Sequence, residues 1–180
     1  RWGKCKLATA SFGHGITTTP LQLVKAYGII SNGGFDITPT LIKSKKKNNK
    51  KRIIKKKTSE AINLILRRIV VEGTAKLANV NGYEVGGKTG TANKSTKGGY
   101  SKKKINTFSS IFPTSNPKFA LVVLMEETKI SPDYIYEYRD GSGFKLKGSP
   151  RNTAAWTSVE VAGKIIEKIG PILATKYIEN

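Results

Sequence analysis

The chain has 180 residues, enough for one domain or a large piece of one, with a real core. Its 38% hydrophobic and 24% charged content is ordinary for a globular protein, and its single cysteine, Cys5, excludes an internal disulfide. Charge is the departure: 32 basic residues against 12 acidic ones leave a net +20, which suits anionic partners such as nucleic acid, anionic lipid or an acidic polymer. Ten Lys or Arg residues between Lys43 and Lys57, and five lysines from Lys94 to Lys104, carry much of it. Neither run has the interleaved aromatics of a nucleic-acid platform, so both read as solvated basic loops. Apolar runs such as Phe119–Met125 are too short to cross a membrane. The chain opens on Arg1-Trp2-Gly3 without an initiator methionine, so the expectation is a fragment with any targeting segment upstream. Cys5 is expected to be small, inert and partly buried.

Thr19-Pro20-Leu21-Gln22 reads as a helix start: Thr19 caps, Pro20 suits the first turn, and Gln22 reaches back. Leu23, Tyr27 and Ile30 form one apolar stripe, and Gly33-Gly34 ends the helix. Asp36–Lys43 is predicted extended, with Pro39 favouring an edge and Arg52–Ile54 a short returning strand. A second helix is predicted to open at Thr58 or Ser59. Ile62, Ile65, Leu66, Ile69 and Val70 line its inner face, and Gly73 closes it.

Three strands are then predicted, Tyr83–Ala92, Ile105–Phe112 and Lys118–Glu126, with short or flexible links that favour antiparallel pairing. Ser131–Pro150 reads as a polar loop. Trp156–Ile169 reads as a closing helix, with Val159, Ala162, Ile165, Ile166 and Ile169 on one face. The predicted class is α/β of the α+β kind: an antiparallel sheet flanked by helices.

The chemistry concentrates in Gly86-Gly87-Lys88-Thr89-Gly90-Thr91. An ammonium, two hydroxyls on one strand face and bare glycines suit a carboxylate-bearing, acyl-transferring substrate laid along an edge strand. The Thr91 backbone N–H is a candidate donor to a developing oxyanion. His14, the only histidine, reads as a turn residue, since Ser11 is the only serine near it and a triad needs a placed serine and acid. No metal site is expected, because no His, Cys, Asp and Glu cluster has ligand spacing. Glu126-Glu127 reads as a strand ending in water. Ser44–Lys47 and Ser101–Lys104 have the S-x-x-K spacing of a serine nucleophile and its base, but both fall in basic loops. Neighbouring lysines in open water do not lower a lysine's pKa enough to make it a base. There is no S-x-N.

Phe12-Gly13-His14-Gly15-Ile16-Thr17-Thr18-Thr19-Pro20-Leu21-Gln22-Leu23, with Ala26-Tyr27 and Asn32-Gly33-Gly34, resembles the transpeptidase domain of class B penicillin-binding proteins. Glu72-Gly73-Thr74-Ala75 and Val85–Ala92 resemble its next block, and K-T-G is a signature of that group. Phe108–Pro113 with Asn116-Pro117-Lys118 looks like the following strand pair, and Ala154–Pro171 like the last helix of the division-specific septal members.

The resemblance implies a penicillin-recognising fold related to serine β-lactamases and incomplete at its N-terminus, with residues 1–180 the C-terminal part of a single domain. It implies serine-type D,D-transpeptidase chemistry that cross-links peptidoglycan stem peptides at the septum, without a cofactor. Lys88 would contact the nucleophile region and the ligand carboxylate, Thr89 would bind that carboxylate beside Gly90, and Thr91 would give an oxyanion N–H and substrate-strand contacts. The serine nucleophile and S-x-N would lie upstream, so this piece alone would be inactive. The implied partners are stem peptides, β-lactams, the N-terminal half of the domain and other division proteins, with no nucleic acid. The implied location is the periplasmic face of the bacterial inner membrane, through an anchor outside this sequence. A D,D-carboxypeptidase or serine β-lactamase, a β-lactam sensor, and a basic nucleic-acid-binding module are the alternatives.

Overall fold

Thr19 caps the first long helix, α2 (Pro20–Ser31), as its sequence requires: its hydroxyl accepts the Gln22 N–H, and the Gln22 side chain returns to the Thr19 N–H. This computed structural model describes residues 5–11, 13, 15–42, 51–96, 99–148 and 151–177. A short helix not expected from the sequence, α1 (Lys6–Ala10), comes first. Cys5 beside it is exposed rather than partly buried, because α1 buries none of its residues.

After α2 the chain turns through Gly33 and Gly34, both at positive φ. At Gly34 a Cβ would lie 1.9 Å from the Ile54 carbonyl oxygen, so only glycine fits. The Ile53 and Ile54 N–H groups both donate to the Gly34 carbonyl. The expected strand pair around Asp36 and Arg52 reduces to a single bridge, Phe35 with Arg52, where the guanidinium lies over the Phe35 ring. Of the basic run, residues 43–50 lie outside the described residues.

Helix α3 (Lys56–Val71) starts earlier than Thr58 or Ser59. Ser59 cannot cap it, because its buried hydroxyl donates to the Ile30 carbonyl and ties α3 to α2. Leu66 and Val70 of the predicted stripe are buried, whereas Ile65 stands 58% exposed. A 3₁₀ turn (Lys76–Ala78) follows.

The sheet is β1 (Gly86–Thr96), β2 (Gly99–Phe112) and β3 (Phe119–Glu126), antiparallel in the order β1-β2-β3. The loop expected over Lys94–Lys104 is largely strand: β1 and β2 run on past the end of β3 as a two-stranded arm, with a register shift between Asn93 and Ser95. Alternation of Lys with Ser, Thr and Tyr tolerates this, since both faces of such an arm meet water.

Register assigns the faces. Gly86, Lys88 and Gly90 pair with Ile111, Ser109 and Thr107 on the side of α2 and α3. Gly87, Thr89 and Thr91 pair with Ser110, Phe108 and Asn106 on the opposite side. There α4 (Ser158–Tyr177) buries Val159, Ala162 and Ile166 against Phe108, Phe112 and Val123. The α+β architecture is therefore helices on both faces of one antiparallel sheet. Helix α4 runs beyond the expected Ile169 and through Pro171, after a 3₁₀ turn over Ala154–Trp156. The stretch expected as a polar loop holds a small hairpin, β4 (Ile135–Glu137) and β5 (Lys145–Lys147). Arg139 beyond β4 is buried and grips Glu160 of α4 through two contacts of 2.8 and 2.9 Å, and also donates to the Leu77 carbonyl at 3.0 Å.

Candidate active site

Strand β1 is the edge of the sheet, and no strand among the described residues pairs with its outer side. An edge strand offers unpaired backbone groups to an extended ligand, and its side chains alternate between faces. Lys88, Thr89, Gly90 and Thr91, the four residues singled out from the sequence, occupy consecutive positions on this edge.

Lys88 is exposed, and its ammonium donates to the Thr89 carbonyl at 2.7 Å, with the Thr89 hydroxyl at 3.5 Å. Across from it Ser109 is buried, and the Tyr27 phenol of α2 hydrogen-bonds there. Burial pushes the Tyr27 phenol up from its ordinary value, and the Ser109 hydrogen bond offsets part of that.

The two threonines share a face, as expected, and each is held by a residue remote in sequence. The Thr89 hydroxyl lies 3.1 Å from the Thr74 hydroxyl, in the turn after α3. The Thr91 hydroxyl accepts the Ala154 N–H at 2.9 Å, at the 3₁₀ turn before α4. Thr74 and Ala154 are positioning residues that alternation alone could not assign. Both stood inside segments the sequence marked, Glu72-Gly73-Thr74-Ala75 and Ala154–Pro171, without a role attached.

The three glycines have different reasons to be bare. A Cβ on Gly86 would lie 2.5 Å from the Thr114 Cγ2 and 3.1 Å from the α3 backbone, and one on Gly87 would lie 2.5 Å from the Phe108 ring. Those two make room for the fold. At Gly90 the nearest heavy atoms are 3.9 Å away, on Thr107. Only Gly90 leaves open surface beside Lys88 where a ligand backbone could approach.

Beyond the site, Glu126 and Glu127 do not simply end β3 in water. The Lys94 ammonium reaches both, at 2.7 and 3.1 Å, and Lys103 meets Glu127 at 2.7 Å. Hydrogen bonds from Lys103 and then Lys94 hold the Glu127 carboxyl below its ordinary value, and hydrogen bonds to Glu126 and then Glu127 raise the Lys94 ammonium. Part of the arm's positive charge is thus matched internally.

His14 and Ser44–Lys47 lie outside the described residues. Ser101–Lys104 lies on the β2 side of the arm, where Lys104 is only half-buried and Lys102 and Lys103 beside it are exposed, a setting that does not fully desolvate a lysine. Among the described residues no three His, Cys, Asp or Glu side chains gather as a metal site, and no helix is long and apolar enough to cross a membrane.

Residues 1–143 match the family model described as the penicillin-binding protein transpeptidase domain. The chain is 37% identical over 142 residues to stage V sporulation protein D of Bacillus subtilis, covering 72% of this chain and 22% of that protein. It is 29% identical over 189 aligned residues to the probable peptidoglycan D,D-transpeptidase FtsI of Caulobacter vibrioides, covering 98% of this chain and 30% of that one. Among solved structures, the transpeptidase domain of penicillin-binding protein 3 from Burkholderia pseudomallei superposes with a TM-score of 0.73 at 25% identity, over 95% of this chain and 47% of that one. The chain therefore spans about a third or less of these curated relatives and about half of the solved domain. With a family match over residues 1–143 and a superposition over nearly all of its length, the chain belongs to the penicillin-binding protein transpeptidase family.

Proposed function

We propose that residues 1–180 form the C-terminal part of a single D,D-transpeptidase domain of the septal, division-specific kind. It cross-links peptidoglycan stem peptides by serine acyl transfer, at the periplasmic face of the bacterial inner membrane. The serine nucleophile and its S-x-N partner come from sequence outside these residues. The observation that carries the reading is the consecutive run of Lys88, Thr89, Gly90 and Thr91 on the unpaired edge of β1, in a chain of this family.

In this reading the acyl-donor peptide, or a β-lactam in its place, lies antiparallel along β1. The Lys88 ammonium supplies positive charge to the nucleophile region and the ligand carboxylate. The Thr89 hydroxyl, steadied by Thr74, donates to that carboxylate. Gly90 lets the ligand backbone close in, and the Thr91 N–H faces the oxyanion of the tetrahedral intermediate. The acyl-enzyme is then resolved by an amine from a second stem peptide. Other division proteins would hold the full-length protein at the septum.

The test is covalent labelling of the full-length protein by a fluorescent penicillin. Lys88→Ala should slow acylation about a hundredfold or more, in the range seen when one electrostatic contact to a reacting centre is removed. Labelling at the parental rate would overturn the role of Lys88.

A further inference from the structure

The candidate site uses only part of the edge that carries it. Strand β1 runs from Gly86 to Thr96, and no strand among the described residues pairs with its outer side. Lys88 to Thr91 occupy the first half. Ala92, Asn93, Ser95 and Thr96 beyond them are exposed as well. An open edge of this length can pair with more extended chain than the four site residues engage.

The roles proposed above give a ligand on this edge a direction. Its terminal carboxylate sits at Lys88 and Thr89, and its reacting carbonyl faces the Thr91 N–H. The residues that precede that carbonyl in the donor peptide therefore continue past Thr91, abreast of Ala92 to Thr96. At about 3.3 Å per extended residue, the second and third of them reach the arm.

There the two faces of the arm differ in charge. On one face Lys94 and Lys103 spend their charge on Glu126 and Glu127. Lys104 pairs with Asn93 and alternates with Asn106, so its side chain lies on the face of Thr91. Lys102 falls within the register shift and is exposed. Among the described residues neither Lys102 nor Lys104 forms an ion pair. Unmatched ammonium groups near one another raise the local potential and attract an anion. Lys104 stands two strand spacings, about 10 Å, from the ligand track. Its four-carbon stem and an acidic side chain of the ligand close that gap from both ends.

We propose that the open edge beyond Thr91, with Lys102 and Lys104, is a further subsite for the donor peptide. It takes a side-chain carboxylate two or three residues before the reacting carbonyl, so the donor it selects is an acidic peptide. The subsite rests on the function proposed above, because that reading sets the direction of the ligand.

The test compares two synthetic peptide thioesters of one sequence as acyl donors for the full-length protein. One carries a free side-chain carboxylate at that position, and the other has it amidated. The parent should use the acidic donor about tenfold better in kcat/KM, with the difference in KM, since an exposed ion pair contributes up to about fivefold. High salt should shrink the preference. Lys102→Ala with Lys104→Ala should erase it by weakening the acidic donor alone, and Lys102→Glu with Lys104→Glu should reverse it. Fluorescent penicillin, which has no carboxylate on that side, should label parent and variants alike. A double variant that slows both donors and penicillin together overturns the subsite and makes the arm a support for the fold. A parent labelled by penicillin that uses both donors equally sinks the subsite alone. A parent labelled by neither penicillin nor thioester sinks the transpeptidase reading with it.

Discussion

Ala154 donates its backbone N–H to the Thr91 hydroxyl at 2.9 Å, tying the edge strand to the turn that opens the last helix. Residues 63 positions apart thereby fix one end of the candidate site. Thr74 and Thr89 do the same for its middle, so the strand is held at two points by segments that precede and follow the sheet.

Gly90 and Gly87 separate recognition from packing. Gly90→Ala meets nothing nearer than 3.9 Å, so its stability should stay within about 0.5 kcal/mol of the parent while penicillin acylation falls. Gly87→Ala drives a methyl into the Phe108 ring and should cost about 1–3 kcal/mol, read by urea unfolding. Equal acylation in Gly90→Ala and the parent would remove Gly90 from the ligand path.

Thr74→Val keeps the shape of the side chain but removes the partner of the Thr89 hydroxyl. Exposure at Thr74 limits the stability loss to about 1 kcal/mol or less. Acylation should slow several-fold, as a loss of placement rather than of charge, and Thr74→Ser should restore it.

Arg139→Ala would leave buried Glu160 without its guanidinium, with only the Lys164 ammonium at 3.5 Å and the Tyr134 hydroxyl at 2.9 Å, so the cost should lie at or below the low end of the about 3–5 kcal/mol of a broken buried pair. Thermal unfolding should show a large fall in midpoint. Replacing Arg139 and Glu160 together by apolar residues should recover part of it, because part of the cost lies in the under-compensated carboxylate.

Acid should loosen the β1–β2 arm. The folded Glu127 carboxyl sits below its ordinary value, so its contribution is fully present above the ordinary carboxylate range and is lost as pH falls through the lowered value. Lys94 is raised, so its contribution persists up to its ordinary value and fades only as pH climbs through the raised one. Amide exchange in Lys102–Asn106 should therefore be flat between about pH 6 and 9, beyond its intrinsic rate, and speed up below about pH 4. Glu127→Gln should abolish much of the acid response, and a high-salt buffer should weaken it.

The Thr19 capping box, the Leu66–Val70 face of α3, the order of three strands and the Val159–Ile166 face of α4 were legible because each is written in local periodicity or a local cap. The arm over Lys94–Lys104 was not. Its lysines read as loop, but the backbone ladder between β1 and β2 carries the segment as strand, with Lys94 and Lys103 paired to Glu126 and Glu127, which are distant in sequence. Ser59 misled for the same reason: a helix-capping residue type was drawn instead to the Ile30 carbonyl. In the site, Lys88, Thr89, Gly90 and Thr91 were readable as a run, but their tethers at Thr74 and Ala154 depend on tertiary contacts that spacing does not encode.

Alternation along β1 also partitions what can vary. Positions 89 and 91 answer to the α4 side, where Thr74 and Ala154 hold them, while 88 and 90 look the other way with room around them. A library randomised at 90 would sample ligand preference against an intact scaffold with the Lys88 ammonium kept; the same library at 89 and 91 would also be filtered for folding. Variation at position 90 can thus proceed while the tethers at 89 and 91 keep the strand in place.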